Sequence, residues 1–364
     1  MSAQMWLTPG RFIKTASTNL LLLSMLGCGA GRTRSLESAE PRPPGHLVDL
    51  GGYKLHLHCI GEGSPAVRLI PGAGDYSFDW SRVHADLGKT TRTCAYDRAG
   101  FAWSDVGPNP RTMRQEASEI HELLSRAAVP TPVLLVGHSI GGLVARVVAR
   151  DFPGDVAGIV MIDPTHEDTQ LFYQGRIVRI RESAKARAVS PVVTFQSQAP
   201  KASQAQLKEF AEMQHMMGKP RIEPPFEKLD SSVQRLRLWA ESDSVKRPAI
   251  QEDFWPEELQ QLHDDRLRTP QPLAGKPLIV IAAGREESVP DEATAEQRAQ
   301  FAAIMAEKRS QKKNLPSLSR NSMFLVDTLS GHHIQIEDPA IVLRAIALAV
   351  QAIRSGSVLP RILP

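Results

Sequence analysis

The run from Val133 to Gly142 restricts the fold of this chain more than any other stretch. Val133, Leu134, Leu135 and Val136 form an apolar block that stops at Gly137-His138-Ser139-Ile140-Gly141-Gly142, and a helix-forming run from Leu143 to Arg150 follows at once. A buried strand, a tight turn and a helix are therefore expected in immediate succession, with a serine at the apex. Gly137 and Gly141 flank that serine as G-x-S-x-G. So sharp a turn brings neighbouring backbones together, and neither position has room for a Cβ. The turn lifts the Ser139 hydroxyl above the sheet. It also aims the Ile140 N–H and the helix start at the point where negative charge would develop. A plain glycine-rich strand-to-helix connection reads the same way in isolation, so the rest of the chain must supply the partners a nucleophilic serine needs.

Other short apolar runs end in unusual residues in the same way. His46 to Leu50 and Tyr53 to Ile60 alternate around Gly51-Gly52 and predict a hairpin, with Leu55 and Leu57 on one face and His56 and His58 on the other. Val67 to Ile70 ends in Pro71-Gly72-Ala73-Gly74, Thr93 to Tyr96 in Asp97-Arg98, and Val156 to Ile162 in Asp163-Pro164. Leu278 to Ala282 runs into Ala283-Gly284, and Met323 to Val326 precedes Ser330-Gly331-His332-His333. Helical spacing appears at Trp80 to Leu87, Thr112 to Ala127 and Ile341 to Ile353. The alternation predicts an α/β fold with a mostly parallel, doubly wound sheet of about eight strands and function at the strands' carboxyl ends. Between Asp163 and Lys276 helical patterns recur, at Ala205 to Met217 and Val233 to Glu241, without a comparable buried strand. That segment reads as an inserted helical cap at 165–270, within a core of 46–164 and 271–364. Its basic residues Arg176, Arg179, Arg181, Lys185 and Arg187 read as a solvated helix face.

The 364 residues, 42% hydrophobic, suffice for one large core with an insertion. A formal charge of +3 and the lack of a dense basic block argue against nucleic acid as a partner. Residues 1–45 stand apart: Arg11 and Lys14 precede an apolar run from Leu20 to Leu26 and then Gly27-Cys28-Gly29-Ala30. This is the pattern of an export signal, too short for a comfortable span of ~20 residues. Met25-Leu26-Gly27-Cys28 resembles a lipobox, which would make Cys28 an acylated membrane anchor; a cleaved soluble exported form is the alternative. The Pro-rich stretch from Arg32 to Pro44 reads as a tether.

A serine needs a base, and the base needs an orienting carboxylate, in the chain order serine, acid, histidine. His332 is the candidate base, preceded by a glycine that suits a tight loop, and His333 is its rival. The candidate acid is Asp163, at the end of the strand after the serine strand, with Glu286 and Glu287 as alternatives after the following strand. Backbone N–H groups of Ala73 or Gly74, with that of Ile140, would hold an oxyanion. Asp97 and Arg98 read as an ion pair bracing the loops, and His138 and His166 as local packing. No Cys/His spacing suggests a metal, and the chemistry needs no cofactor.

The stretches PGAGDYSFDW, YDRAGFAWSD, VGHSIGG, VMIDPTHED and SGHHIQIEDP, in this order, resemble the serine hydrolases of the α/β-hydrolase fold. The resemblance runs from about residue 46 to the C-terminus apart from the cap. Pro71 departs from it, standing where many relatives have a histidine before the oxyanion glycine. It implies that an ester, amide, thioester or lactone is the small-molecule acyl substrate. An aspartate nucleophile would have pointed to a dehalogenase or an epoxide hydrolase, and Ser139 argues against both. Amide or peptide cleavage on the same fold, and a binding protein that keeps the scaffold without catalysis, are the competing readings. The strand order that the resemblance implies makes Cys59 and Cys94 neighbours, and a disulfide between them is expected.

Overall fold

The structure is a computed structural model that describes residues 40–173, 176–185, 201–242, 246–251, 254–285, 289 and 293–360. The expected export signal and Cys28 lie outside the described residues, as do Glu286, Glu287 and Arg187.

The chain opens with β1 (His46–Asp49) and β2 (Lys54–Ile60), an antiparallel pair. Gly51 and Gly52 turn the chain between them at φ of 93° and 138°. Then follow β3 (Val67–Ile70), α1 (Ser81–Gly88), β4 (Thr93–Tyr96), α2 (Met113–Arg126), β5 (Val133–His138), α3 (Ile140–Asp151) and β6 (Val156–Ile162). The insertion carries β7 (Gln170–Tyr173), β8 (Arg176–Arg179), α4 (Gln204–Met217), α5 (Ser231–Glu241) and α6 (Trp255–Arg268). The core resumes with β9 (Leu278–Ala283), α7 (Ala295–Asn314), β10 (Ser322–Asp327), the single turn α8 (Ile334–Glu337) and α9 (Pro339–Ser355).

One eight-stranded sheet runs in the order β1-β2-β4-β3-β5-β6-β9-β10, antiparallel at its first two pairings and parallel in the rest. Strands buried on both faces need apolar side chains in both directions, which is why β5, β6 and β9 are continuous apolar runs. One face packs Leu135, Ile159 and Val280 against Ile120, Leu124 and Val148 of α2 and α3. The other packs Leu134, Val160 and Ile279 against Val83 of α1 and Val342, Ile346 and Ala349 of α9. Cys59 and Cys94 face each other in the β2–β4 register and form a disulfide.

His56, on the strand face opposite Leu55 and Leu57, is also fully buried, because Trp103 covers it at 4.8 Å between ring centroids and Asp97 Oδ2 takes its Nδ1 at 2.7 Å. One local reading changes. The basic run of the cap is no helix face: Arg176 and Arg179 lie on β8, which pairs with β7 as a small separate sheet. Arg179 and Arg181 pair with Asp168. At the other end of the insertion α6 sends Leu259 and Leu262 into the core, and the Glu258 carboxylate accepts the free N–H groups of Met113 and Arg114 at the start of α2. Among the described residues no helix is long and apolar enough to cross a membrane.

Candidate active site

Ser139 sits at φ 54°, ψ −119°, between the end of β5 and the first residue of α3. A non-glycine residue is rarely held at positive φ, and the neighbouring glycines explain how it is held here. A Cβ on Gly137 would lie 2.3 Å from the Gly141 carbonyl oxygen, and one on Gly141 would lie 2.5 Å from that of Ile70. Strand, turn and neighbouring loop close on one another only because both side chains are missing. The Ser139 N–H donates to Ile162 at 3.0 Å, and its carbonyl accepts the Thr165 N–H at 3.1 Å, so the turn is tied to the loop after β6. Among the described residues the hydrogen-bond neighbour of the Ser139 hydroxyl is Thr165 Oγ1, at 3.4 Å.

That same loop carries Asp163, which ends β6 at φ 39°. Its Oδ2 accepts the Nδ1–H of His332 at 2.7 Å. Its Oδ1 accepts the Ala283 N–H at 2.8 Å and the Lys312 ammonium at 2.5 Å. Burial alone would raise the Asp163 carboxyl, but Lys312 and His332 overcome this and hold it below the ordinary carboxylate range. Desolvation lowers His332 below the ordinary histidine value, against the hydrogen bond to Asp163 and together with repulsion from His138. Its side chain is 37% exposed, so cleft water moderates this desolvation. A free base at neutral pH follows.

A second network lies beside the first. Asp75, in the loop after β3, accepts the Nδ1–H of His138 at 2.6 Å and the Gly72 N–H at 3.1 Å on Oδ2, with His333 Nε2 at 3.3 Å from Oδ1. The Nε2–H of His138 donates to the His332 carbonyl at 2.9 Å. Both ring nitrogens of His138 thus face acceptors, an arrangement that only the doubly protonated ring satisfies. Burial opposes the charge, but Asp75 outweighs it and raises His138. With two histidines on it, Asp75 is held well below its ordinary value in spite of burial. Asp75, His138 and His333 are residue types that bind metals, but their polar atoms are committed to one another here, and the cluster reads as a hydrogen-bonded brace.

The loops expected to cradle an oxyanion meet at this place. Gly72 has no room for a side chain, since a Cβ would stand 2.8 Å from His138 Nδ1 and 3.1 Å from Ser139 Cβ. The expected Asp97–Arg98 ion pair does not form: Asp97 accepts from His56 and from the Ser77 N–H, while Arg98 Nη2 donates to the Gly72 carbonyl at 2.8 Å, so the two residues brace the loops separately. Gly74 adopts φ 74° in open space. Ile140 opens α3, so its N–H has no partner within the helix. Among the described residues the Ala73 and Gly74 amides meet no protein acceptor.

The structure therefore gathers Ser139, Asp163, His332, Ala73, Gly74 and Ile140 at one end of the sheet, and separates the two histidines: His332 faces Asp163, His333 faces Asp75. Lys312, Thr165 and Asp75 were not singled out by sequence. A profile described as the alpha/beta hydrolase family matches residues 69–345. The chain belongs to this family.

Curated relatives of this α/β hydrolase match over part of their length. A probable transporter, efuK, of Hormonema carpetanum is 34% identical over 131 residues, covering 34% of this chain and 19% of that protein. The uncharacterized protein YqjL of Bacillus subtilis is 33% identical over 124 residues, covering 34% of this chain and 49% of its own. The chain thus spans a fifth to a half of the length of these relatives. An esterase from Thermogutta terrifontis shares the fold at TM-score 0.52 and 17% identity, covering 85% of this chain and 98% of that one. A putative epoxide hydrolase from Pseudomonas aeruginosa does so at TM-score 0.54 and 14% identity, covering 85% and 96%.

Proposed function

We propose that the chain is a serine hydrolase that cleaves a carboxylic ester, or a related acyl bond, through an acyl-enzyme on Ser139. The observation that carries this reading is the 2.7 Å contact of Asp163 Oδ2 with His332 Nδ1, beside a serine held at positive φ. Asp163 keeps the His332 proton on Nδ1 and leaves Nε2 free as a base. That nitrogen takes the Ser139 proton as Oγ attacks the carbonyl carbon. Backbone N–H groups of Ala73 or Gly74 and of Ile140 stabilise the oxyanion, each worth ~10²–10³ in rate. His332 then returns the proton to the leaving alcohol and activates water to release the acid. Among the described residues Ser139 Oγ neighbours Thr165 Oγ1 and makes no hydrogen bond to His332, so this reading requires the two to close on each other when substrate fills the cleft.

A cavity of about 40 Å³ behind Ile140, lined by Arg98, Phe101, Met113, Ile250 and Trp255, contains neither Ser139 nor His332 and is not read as the acyl site. Export is part of the proposal. The charged and apolar N-terminal pattern supports it, and so does a disulfide, which persists in oxidising compartments. Whether Cys28 carries a lipid is decided by mass spectrometry of the mature N-terminus.

The test is labelling with a fluorophosphonate followed by peptide mapping. Modification at Ser139 that is lost in His332→Ala and kept in His333→Ala supports the assignment. Folded wild-type protein that takes no label argues for a binding protein on the same scaffold. A panel of p-nitrophenyl esters and anilides then separates ester from amide cleavage.

A further inference from the structure

Lys312 is the charged group of this site to which the acyl-transfer steps assign no role. It stands near the end of α7, in the segment between β9 and β10, with its ammonium 2.5 Å from Asp163 Oδ1 and its side chain 15% exposed. The Asp163 carboxylate is therefore divided, with Lys312 and the Ala283 N–H on one oxygen and His332 on the other. We propose that Lys312 is a positioning residue that locks the plane of the Asp163 carboxylate and reduces the net negative charge that His332 faces. This rests on the reading of Ser139 and His332 as nucleophile and base.

The physical reason lies in charge pairing. An aspartate on its own behind a histidine stabilises the imidazolium with its full charge and raises the base. A cation on the far oxygen cancels part of that field. The other charges near His332 are paired in the same manner. His138, at the end of β5, and His333 both face Asp75 from the loop after β3. Arg285, after β9, is paired with Glu337 of α8 next to Gly331. Among the described residues Asp163, Asp75 and Glu337 each have a positive partner, in Lys312, His138 and Arg285, and neutral His332 is favoured. The base stays free at lower pH, and the imidazolium of the transition state is held less strongly. Lys312 also acts on geometry: without it, Oδ1 keeps one donor and the carboxylate can rotate away from His332.

The experiment measures the rate at which a fluorophosphonate labels Ser139 as a function of pH, in the full chain and in Lys312→Met, Lys312→Gln and Lys312→Arg. This readout needs no knowledge of the natural substrate. Removing the charge is expected to move the midpoint of the acid limb up by about 0.5–1 pH unit. Lys312→Arg is expected to keep it at the wild-type position. Lys312→Gln keeps a donor without the charge and carries the test if the methionine variant is unstable. A rate that falls by one factor at every pH, with the midpoint unmoved, means a merely structural role and overturns the proposal. A downward shift overturns it as well. Wild-type protein that takes no label on Ser139 overturns the underlying assignment before Lys312 is touched, so the two failures are distinct.

Discussion

Asp75 Oδ2 and His138 Nδ1 lie 2.6 Å apart, and through that contact the loop after β3 is fastened to the residue next to Ser139. His138 passes the connection on to the His332 carbonyl, and Asp75 also holds the Gly72 N–H and faces His333. One carboxylate thus ties together the three loops that carry the oxyanion amides, the nucleophile and the base. Asp75→Asn removes the charge that sustains the His138 imidazolium. We expect kcat/KM for p-nitrophenyl acetate to fall about 10–100-fold, with Ser139 still the labelled residue and with a measurable loss of thermal stability.

The strain at Ser139 predicts opposite effects on stability and activity. A non-glycine residue in this conformation costs about 1–2 kcal/mol, and glycine adopts it freely. Ser139→Gly should abolish ester hydrolysis, by about 10⁴-fold or more. It should also raise Tm by about 1–3 °C in thermal denaturation followed by circular dichroism. A lower Tm would show that the serine is not strained in its turn.

The pH profile follows from His332. Its folded value is lowered and its ordinary value is 6.5, so as pH falls past 6.5 the unfolded chain takes up this proton first and stability declines. Activity declines only at still lower pH, when the folded protein protonates the base. Asp163, lowered in the folded state, contributes stability above its ordinary value of 3.8, and that contribution is lost as pH falls below it. The acid limb of kcat/KM for p-nitrophenyl acetate should therefore have its midpoint below 6.5.

The disulfide joins β2 to β4 across a sequence separation of 35 residues. Replacing both Cys59 and Cys94 by serine should cost about 2–4 kcal/mol in urea denaturation. The two strands lie near one edge of the sheet, away from β5 and β6, so kcat at moderate temperature should change little.

The sheet and the nucleophile turn were legible because both rest on local steric facts. Val67 to Ile70, Thr93 to Tyr96 and Val156 to Ile162 are strands with the expected bounds, since strands buried on both faces are mostly apolar, the buried Arg68 being accommodated over the Tyr96 ring at 4.1 Å. Asp163 stood out because a polar residue ends such a run. Lys312 did not, because it belongs to a charged run on a helix whose buried apolar residues, among those described, are Phe301, Ile304 and Met305, well before it in the chain. Its partner is 149 positions away, and no periodicity encodes a contact at that range. His138 read as packing because its charge depends on acceptors brought by two other loops. The β7–β8 pair is hard to see in the sequence because each strand is only four residues long and β8 carries an arginine at both ends, unlike the longer apolar runs of the core.

The insertion leaves the sheet after β6 and returns at β9, which are adjacent strands, with Ile162 opposite Ile281. Departure and return on neighbouring strands mean that an exchange of the stretch beyond Asp168 is expected to leave the register of the sheet in place, whereas Thr165 and Glu167 are bonded to Ser139 and Arg146 and belong with the core. The boundary of such a graft is set at its end by α6, whose Glu258 caps α2 and whose leucines fill the core, and at its start by Glu167. The architecture is expected to behave as a socket, which accepts a different insertion while Ser139, Asp163 and His332 stay with the sheet.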